Sequence, residues 1–188
     1  SMRSLGEQAQ GIGAIMGVAA GAAEKKVAFV KCKGSCDKTA VQYNYYGVDD
    51  CKKVSVVPGA GEKACAYGCM GYGSCVRACA FDAIHVVDGV AVVDKEKCVA
   101  CGKCVASCPN HLIELVPYKA EHLVQCSSHD KGKDVKAVCA AGCIGCTLCT
   151  KQCEFDAIHM ENNLAVIDYE KCTNCGKCAE KCPVKVIV

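Results

Sequence analysis

The chain contains no tryptophan, only three phenylalanines, and an aromatic share of 5%. A core built on large rings is therefore excluded, and whatever it buries between its elements is aliphatic, drawn from Val, Ile, Leu and Ala. Charge of one sign is also missing: 22 Lys and Arg face 20 Asp and Glu, a formal net charge of +2. That balance argues against a protein that tracks the phosphate backbone of nucleic acid. Long apolar runs are absent as well. The stretch Ile12 to Ala23 is broken by Gly17 and Gly21, and about a dozen residues fall short of the roughly 18 needed to cross a bilayer. It reads as a frayed helix or a cut linker. No charged-then-apolar signal segment opens the chain, and Ser1-Met2 reads as a remnant of expression. No nucleophile-base pair or carboxylate dyad stands out, so no substrate site is visible.

What the chain has instead is cysteine, 21 in 188 residues. Such a density can mark a secreted disulfide scaffold. Here the total is odd and the thiols stand two apart in tight runs, a spacing that suits a shared metal better than pairwise bridges. The compartment is accordingly expected to be reducing. Two runs follow the pattern C-x2-C-x2-C-x3-C-P: Cys98, Cys101, Cys104, Cys108 with Pro109, and Cys172, Cys175, Cys178, Cys182 with Pro183. This is the ligand spacing of bacterial two-cluster ferredoxins, in which three thiolates grip one 4Fe-4S cube and the fourth reaches the neighbouring cube. Each run is preceded by a further group of cysteines, so two such units imply four 4Fe-4S clusters. Each oxidised cluster with its thiolates adds about −2, which takes the loaded chain to roughly −6. Units this short bury too little to fold on apolar contacts alone, and the metal is expected to supply the missing stability.

An ungapped internal repeat runs through the chain at an offset of 74. It carries Cys65, Cys69, Cys75, Cys79, Cys98, Cys101, Cys104 and Cys108 onto Cys139, Cys143, Cys149, Cys153, Cys172, Cys175, Cys178 and Cys182. The match extends beyond the thiols: Phe81-Asp82-Ala83-Ile84-His85 recurs as Phe155-Asp156-Ala157-Ile158-His159. Within each unit a helical turn after the first cysteine group leads to a hairpin through Asp88-Gly89 or Asn162-Asn163, and the second strand delivers the chain to the next ligand run. The expected fold is α+β, two tandem bacterial-type ferredoxin-like units with small α/β lead-in segments. The divisions read as a linker or cut N-terminal segment 1–26, a lead-in 27–64 carrying Cys32, Cys36 and Cys51, a first unit 65–114, a connection 115–138, and a second unit 139–188.

In the second unit the ferredoxin rule places Cys143, Cys146, Cys149 and Cys182 on one cluster, and Cys153, Cys172, Cys175 and Cys178 on the other. The first unit departs from it. Tyr72 stands where Cys146 stands in the second, so Cys69 and Cys75 lack a middle ligand. The nearest replacement in sequence is Cys65, which gives Cys65, Cys69, Cys75 and Cys108 on one cluster, and Cys79, Cys98, Cys101 and Cys104 on its partner. A three-iron cluster on Cys69, Cys75 and Cys108 is the rival arrangement. Five thiols remain: Cys32, Cys36, Cys51, Cys126 and Cys139. A fifth cluster on four of them and buried unliganded thiols are the two readings.

Other signals carry less. Gly59-Ala60-Gly61-Glu62-Lys63-Ala64 fits a dinucleotide-turn pattern, but cysteine ligands begin at the next residue and leave no room for a βαβ unit. His85 and His159 occupy matching hairpin positions and read as surface residues. Zinc also uses C-x2-C pairs, yet overlapping triplets followed by a fourth cysteine fit cubes better than separated tetrahedral knuckles.

From Val27 to its end the chain resembles the B-subunit family of the Rnf complex, through the runs VAFVKCKGSC, YYGVDDC, KACAYGCMGYGSCVRAC, FDAIHV, VAVVDKEKC, LIELVP, CIGCTLC and NLAVIDYEKC. The resemblance implies a polyferredoxin that carries electrons from reduced ferredoxin towards NAD, in a complex that exports Na+ or H+. Its implied partners are reduced ferredoxin and the other Rnf subunits, including the flavin subunit that reduces NAD. Its implied place is the cytoplasmic face of the cell membrane. Members of that family begin with a membrane anchor and a further iron–sulphur domain, neither of which is in this sequence, so the chain itself is expected to be soluble. The alternatives by function are a polyferredoxin arm of another oxidoreductase, or a structural, sensing or zinc-binding module.

Overall fold

The computed structural model describes residues 24–188, so the reading of Ile12 to Ala23 lies outside the described residues. Strand β1 (Lys26–Val30) leads into a loop-rich segment that holds helix α1 (Cys51–Val54) and a 3-10 turn at Pro58–Ala60. The first repeat then runs α2 (Ser74–Ala78), β2 (Ile84–Val87), β3 (Val90–Val93), α3 (Lys103–Ser107) and β4 (Ile113–Pro117). After α4 (Gly132–Val138) the second repeat follows with α5 (Leu148–Gln152), β5 (Ile158–Glu161), β6 (Leu164–Ile167) and α6 (Lys177–Glu180). The mixture of short helices and two-stranded sheets is the α+β ferredoxin-like arrangement expected from the repeat.

The hairpins form because their turns are made of residues that accept positive φ. Asp88 and Gly89 stand at φ +48° and +75°, Asn162 and Asn163 at +46° and +66°, the left-handed pair that a two-residue turn requires to match strand twist. Ile84 pairs with Val93 in the first hairpin and Ile158 with Ile167 in the second, all antiparallel.

The lead-in strands close each repeat. Strand β1 pairs antiparallel with β4, with Val30 opposite Ile113. In the second repeat the same contact is reduced to a single bridge, Val124 opposite Ile187, flanked by hydrogen bonds between Leu123 and Val188. Val30 to Val124 is an offset of 94, the offset that also carries Cys32 onto Cys126. The segment His122-Leu123-Val124 is therefore the counterpart of β1.

Strand β1 is buried on both faces. Ala28 and Val30 pack with Ile84, Val90, Leu112 and Ile113 in the first repeat. Val27 and Phe29 face the other way, onto Val116, Ala120 and Leu123. Tyr169 joins this second group to the core of the second repeat, formed by Val124, Ile158, Leu164, Ile167, Val186 and Ile187. Burying one such aliphatic side chain contributes about 1.5–3 kcal/mol. Among the described residues no helix exceeds seven residues, well below the ~12–15 at which an isolated helix is even marginal in water. Their stability therefore has to come from tertiary contacts.

Candidate metal centres

Four of the helices have one construction. Gly73, Gly102, Thr147 and Gly176 precede α2, α3, α5 and α6 in left-handed conformation. The chain thereby turns abruptly and aims the first helical turn at a cavity. Each helix carries one cysteine inside and a second four residues later, at or just beyond its end: Cys75 and Cys79, Cys104 and Cys108, Cys149 and Cys153, Cys178 and Cys182. Four residues on a helix is one turn, so the two thiols face the same side but stand at different heights. One helix therefore serves two neighbouring cavities.

The cavities are lined as follows. Cys79, Cys98, Cys101 and Cys104 surround one, with Phe81, Ile84 and Ala28 completing its wall. Its counterpart is surrounded by Cys153, Cys172, Cys175 and Cys178, with Phe155, Ile158 and His122. In the second repeat, Cys143, Cys149 and Cys182 pack in one buried group, and burial pushes the Cys149 thiol up to about 11, with the Cys143 and Cys146 thiols adding to the effect.

The first repeat places Cys65 apart from the thiols expected to share its cluster. The thiols gathered with Cys69, Cys75 and Cys108 include Cys51 and leave Cys65 out. Burial pushes the Cys75 thiol up to about 12, and the thiols of Cys69, Cys51 and Cys108 add to it. Cys51 reaches this cavity because it opens α1, whose N-cap Asp50 accepts from the Lys52 N–H and from Ser74 Oγ, while the Cys51 N–H itself donates to Ser74 Oγ at 2.8 Å. Arg77 adds an ion pair to Asp50 at 3.5 Å. The lead-in is thus tied directly onto α2, which carries Cys75. Tyr72, which takes the place of the missing ligand, stacks edge-on against Tyr45 with ring centres 5.4 Å apart. Burial and the nearby Glu62 carboxylate push its phenol up to about 12.

Cys65 belongs to a different gathering. Cys32, Cys65, Cys126 and Cys139 line one cavity together with Lys63, Gly34 and Tyr67. Burial pushes the Cys65 thiol up to about 11, and the thiols of Cys32, Cys126 and Cys139 raise it further. The site has the symmetry of the repeat: Cys65 matches Cys139, Cys32 matches Cys126, and the N–H groups of Cys69 and Cys143 donate to Cys32 Sγ and Cys126 Sγ, both at 3.3 Å. A side chain at Gly34 would start 3.4 Å from Cys139 Sγ and 3.6 Å from Cys32 Sγ, and 2.6 Å from Thr39 Oγ1. Of the five thiols left over by the ferredoxin rule, three therefore meet here, with Cys65 as the fourth member. Cys51 goes to the first repeat. Cys36 is exposed beside the Gly89 turn and lines neither cavity.

The arrangement fits iron–sulphur groups. The donors are thiols, four sets of four line cavities, and peptide N–H groups point at sulphur: Ala28 to Cys98 at 3.3 Å, Ala91 to Cys69 at 3.5 Å, Leu112 to Cys108 at 3.4 Å, and Ala157 to Cys153 at 3.4 Å. Such donors stabilise the negative charge that a thiolate-ligated cluster carries. Among the described residues no three His, Cys, Asp or Glu side chains converge tightly enough to hold one ion. The two paired histidines lie at the surface, His85 beside Asp82 and His159 beside Glu161. The segment Gly59–Ala64 makes a turn and no βαβ unit.

Sequence reasoning missed Cys51 because it stands outside the repeat, 18 positions before Cys69. A signal was present. The first repeat lacks one thiol at Tyr72, and Cys51 has no counterpart at either offset, where Gln125 and Gly145 stand.

The fold and the cysteine geometry define a tandem ferredoxin-type protein that binds iron–sulphur clusters. A 4Fe-4S dicluster domain family matches residues 97–157 and 142–186, and an LdpA Fe-S cluster-binding domain matches residues 73–119. The B subunit of the Na(+)-translocating ferredoxin:NAD(+) oxidoreductase complex of Acetobacterium woodii is 48% identical over 180 residues, covering 95% of this chain and 54% of that protein. The B subunit of the ion-translocating oxidoreductase complex of Methanosarcina acetivorans is 46% identical, over 96% of this chain and 69% of its own length. The B subunit of the proton-translocating ferredoxin:NAD(+) oxidoreductase complex of Clostridium ljungdahlii is 40% identical over 95% and 64%. The chain belongs to the B-subunit family of ion-translocating oxidoreductase complexes, the Rnf family, and spans between about half and about two-thirds of the length of these relatives. No helix among the described residues is long and apolar enough to cross a membrane.

Proposed function

We propose that this chain is the electron-carrying part of an ion-translocating ferredoxin:NAD oxidoreductase complex, with five 4Fe-4S sites in one row. The order of the row is Cys79/98/101/104, Cys51/69/75/108, Cys32/65/126/139, Cys143/146/149/182 and Cys153/172/175/178. On this reading reduced ferredoxin is the donor, the remaining Rnf subunits receive the electrons on the way to NAD, and the chain works on the cytoplasmic side of the membrane.

Bound in these sites, iron–sulphur groups supply one-electron acceptance and release. The chain does everything else. Its thiols hold the groups, its short helices fix neighbouring sites one turn apart, and Ile84, Leu112, Ile158 and Val186, all nearly fully buried, exclude water from the spaces between. What supports the reading is that sixteen of the 21 cysteines line four cavities in sets of four, that Cys143, Cys149 and Cys182 are buried together, and that exposed thiols stand at Cys101, Cys146 and Cys175. A protein that only needed metal for folding has no use for such a succession of adjoining sites.

The test is iron and acid-labile sulphide per anaerobically reconstituted chain, followed by stopped-flow mixing with reduced ferredoxin. About twenty of each follows from five cubes, and the visible absorbance should bleach on mixing. A preparation with about sixteen of each would remove the fifth site, and one that keeps its colour against reduced ferredoxin would remove the electron-carrying role.

A further inference from the structure

We propose that His122 donates a hydrogen bond from Nδ1 to sulphur at the Cys153/172/175/178 site, and that this makes the two ends of the row electrochemically unequal. The proposal rests on the iron–sulphur reading above.

The two end sites are counterparts under the repeat, with the same cysteine spacing, the same phenylalanine in the wall and the same left-handed glycine before the helix. The walls differ at Val99, whose counterpart is Thr173, and at one position that brings in a ring nitrogen. The offset of 94 that relates the lead-in segments carries Ala28 onto His122. Ala28 lines the first end cavity and His122 the second. The space around the matching glycines records the difference. A Cβ at Gly102 would meet nothing within 4 Å, whereas one at Gly176 would meet His122 Nε2 at 3.2 Å and Cε1 at 3.6 Å. The imidazole occupies the room that the alanine leaves open.

Its Nε2 edge is packed against Gly176. Its Nδ1 is buried and has no hydrogen-bond partner, the one such side-chain nitrogen or oxygen among the described residues. A buried ring N–H left unpaired is costly, and buried polar groups of native proteins almost always have a partner. The acceptors that this cavity is built to contain are the sulphurs of its cluster. A donor there favours the reduced state, which carries one more negative charge, and so raises the reduction potential of that site. At the opposite end the Ala28 side chain is a methyl group, and only its peptide N–H reaches sulphur, at Cys98. The site beside His122 is therefore the more readily reduced of the two ends, and the row acquires a direction.

The test uses the full chain, reconstituted anaerobically, as wild type, His122→Phe and His122→Ala. Phenylalanine keeps the ring bulk without the donor, while alanine removes both. Redox titration followed by electron paramagnetic resonance should show one centre of the row move to lower potential in both variants, with the others unmoved. A hydrogen bond to a charged acceptor is strong enough for a shift of about tenfold in the ratio of reduced to oxidised centre, which is about 59 mV for one electron. Pulsed measurements on protein carrying nitrogen-15 histidine should detect a weakly coupled nitrogen at that centre in the wild type only. An unmoved potential in His122→Phe overturns the proposal, as does a shift in His122→Ala alone, since that would be an effect of packing. Iron analysis separates the two levels of inference: full iron with an unmoved potential rejects the role of His122, whereas wild-type protein lacking iron rejects the cluster reading beneath it.

Discussion

Replacing Cys51 by alanine separates the arrangement in the structure from the one that sequence proximity favours. With Cys51 as a ligand, the variant leaves Cys69, Cys75 and Cys108 around a site that has lost its fourth thiol, and the expected product is a three-iron cluster. Nearly one such cluster per chain should appear, and total iron should fall by about one atom from about twenty. The lesion is expected to stay local. Val54, on the same short helix, is fully buried, and keeping it so contributes about 1.5–3 kcal/mol to holding the segment in place. Asp50, Ser74 and Arg77 tie the helix start to α2 without the sulphur. Cys65→Ala should produce its own loss of about one iron, from the site shared by the repeats, and the double variant should lose about two, because the sites are separate. If instead Cys65 served the first repeat, Cys51→Ala would keep all its iron and show no three-iron signal. Spin quantitation in the oxidised state, with Mössbauer spectroscopy on iron-57 protein, reads the outcome. A full complement of four-iron clusters in Cys51→Ala would refute the assignment.

Three further outcomes are expected. Ser74→Ala removes the acceptor for the Cys51 N–H, at a cost of about 1–3 kcal/mol if that donor stays buried, so the fraction of three-iron cluster formed during air exposure should rise above wild type. Gly71→Ala places a side chain at φ +86° with its Cβ 2.8 Å from the Gly89 carbonyl, a backbone atom that cannot swing aside; at about 1–2 kcal/mol for the backbone conformation alone, the thermal midpoint for loss of the visible absorbance should drop. Removal of iron by a chelator should abolish dispersed amide resonances and most of the helical circular dichroism, because helices of four to seven residues are too short to persist by themselves; a chelated chain that kept its native spectrum would show that the clusters are dispensable for folding.

Much of this was legible in the sequence because cluster ligation is written in local spacing. The runs ending at Cys108 and Cys182 fix a helical turn and two cavities within a dozen residues, and the turns at Asp88-Gly89 and Asn162-Asn163 announce their hairpins by residue type. The pairing of β1 with β4 was not legible. It joins residues far apart in the chain, Val30 and Ile113, and nothing in either strand names its partner. The gathering of Cys65 with Cys32, Cys126 and Cys139 was hidden for the same reason. Proximity along the chain favours Cys69, four residues away, but Cys65 and Cys69 lie on either side of a boundary where the Cys69 N–H donates to the sulphur of Cys32. His122 was invisible because its meaning depends on comparing it with Ala28, and that comparison requires the second offset of 94, which only the strand register makes plain.

The two offsets explain why the lead-in segments exist at all. A duplicated ferredoxin unit by itself gives two separate pairs of sites, since every ligand in the C-x2-C-x2-C-x3-C-P run is spent within its own repeat. Continuity between the pairs needs thiols from outside that motif. Each repeat supplies two: one just beyond its lead-in strand, at Cys32 or Cys126, and one four residues before its first ferredoxin ligand, at Cys65 or Cys139. Strand β1 and the segment His122-Leu123-Val124 deliver the former by pairing with the end of their own repeat. Peptide donors from Cys69 and Cys143 then bind the sulphurs so delivered to the next site on either side. Neither repeat supplies all four thiols of this cavity, so on the proposed reading the contact that joins the two halves of the fold is also the link that makes one path out of two. This chain therefore departs from a simple tandem ferredoxin in its lead-ins, which supply Cys32, Cys51 and Cys126, as well as at Tyr72 inside the first motif.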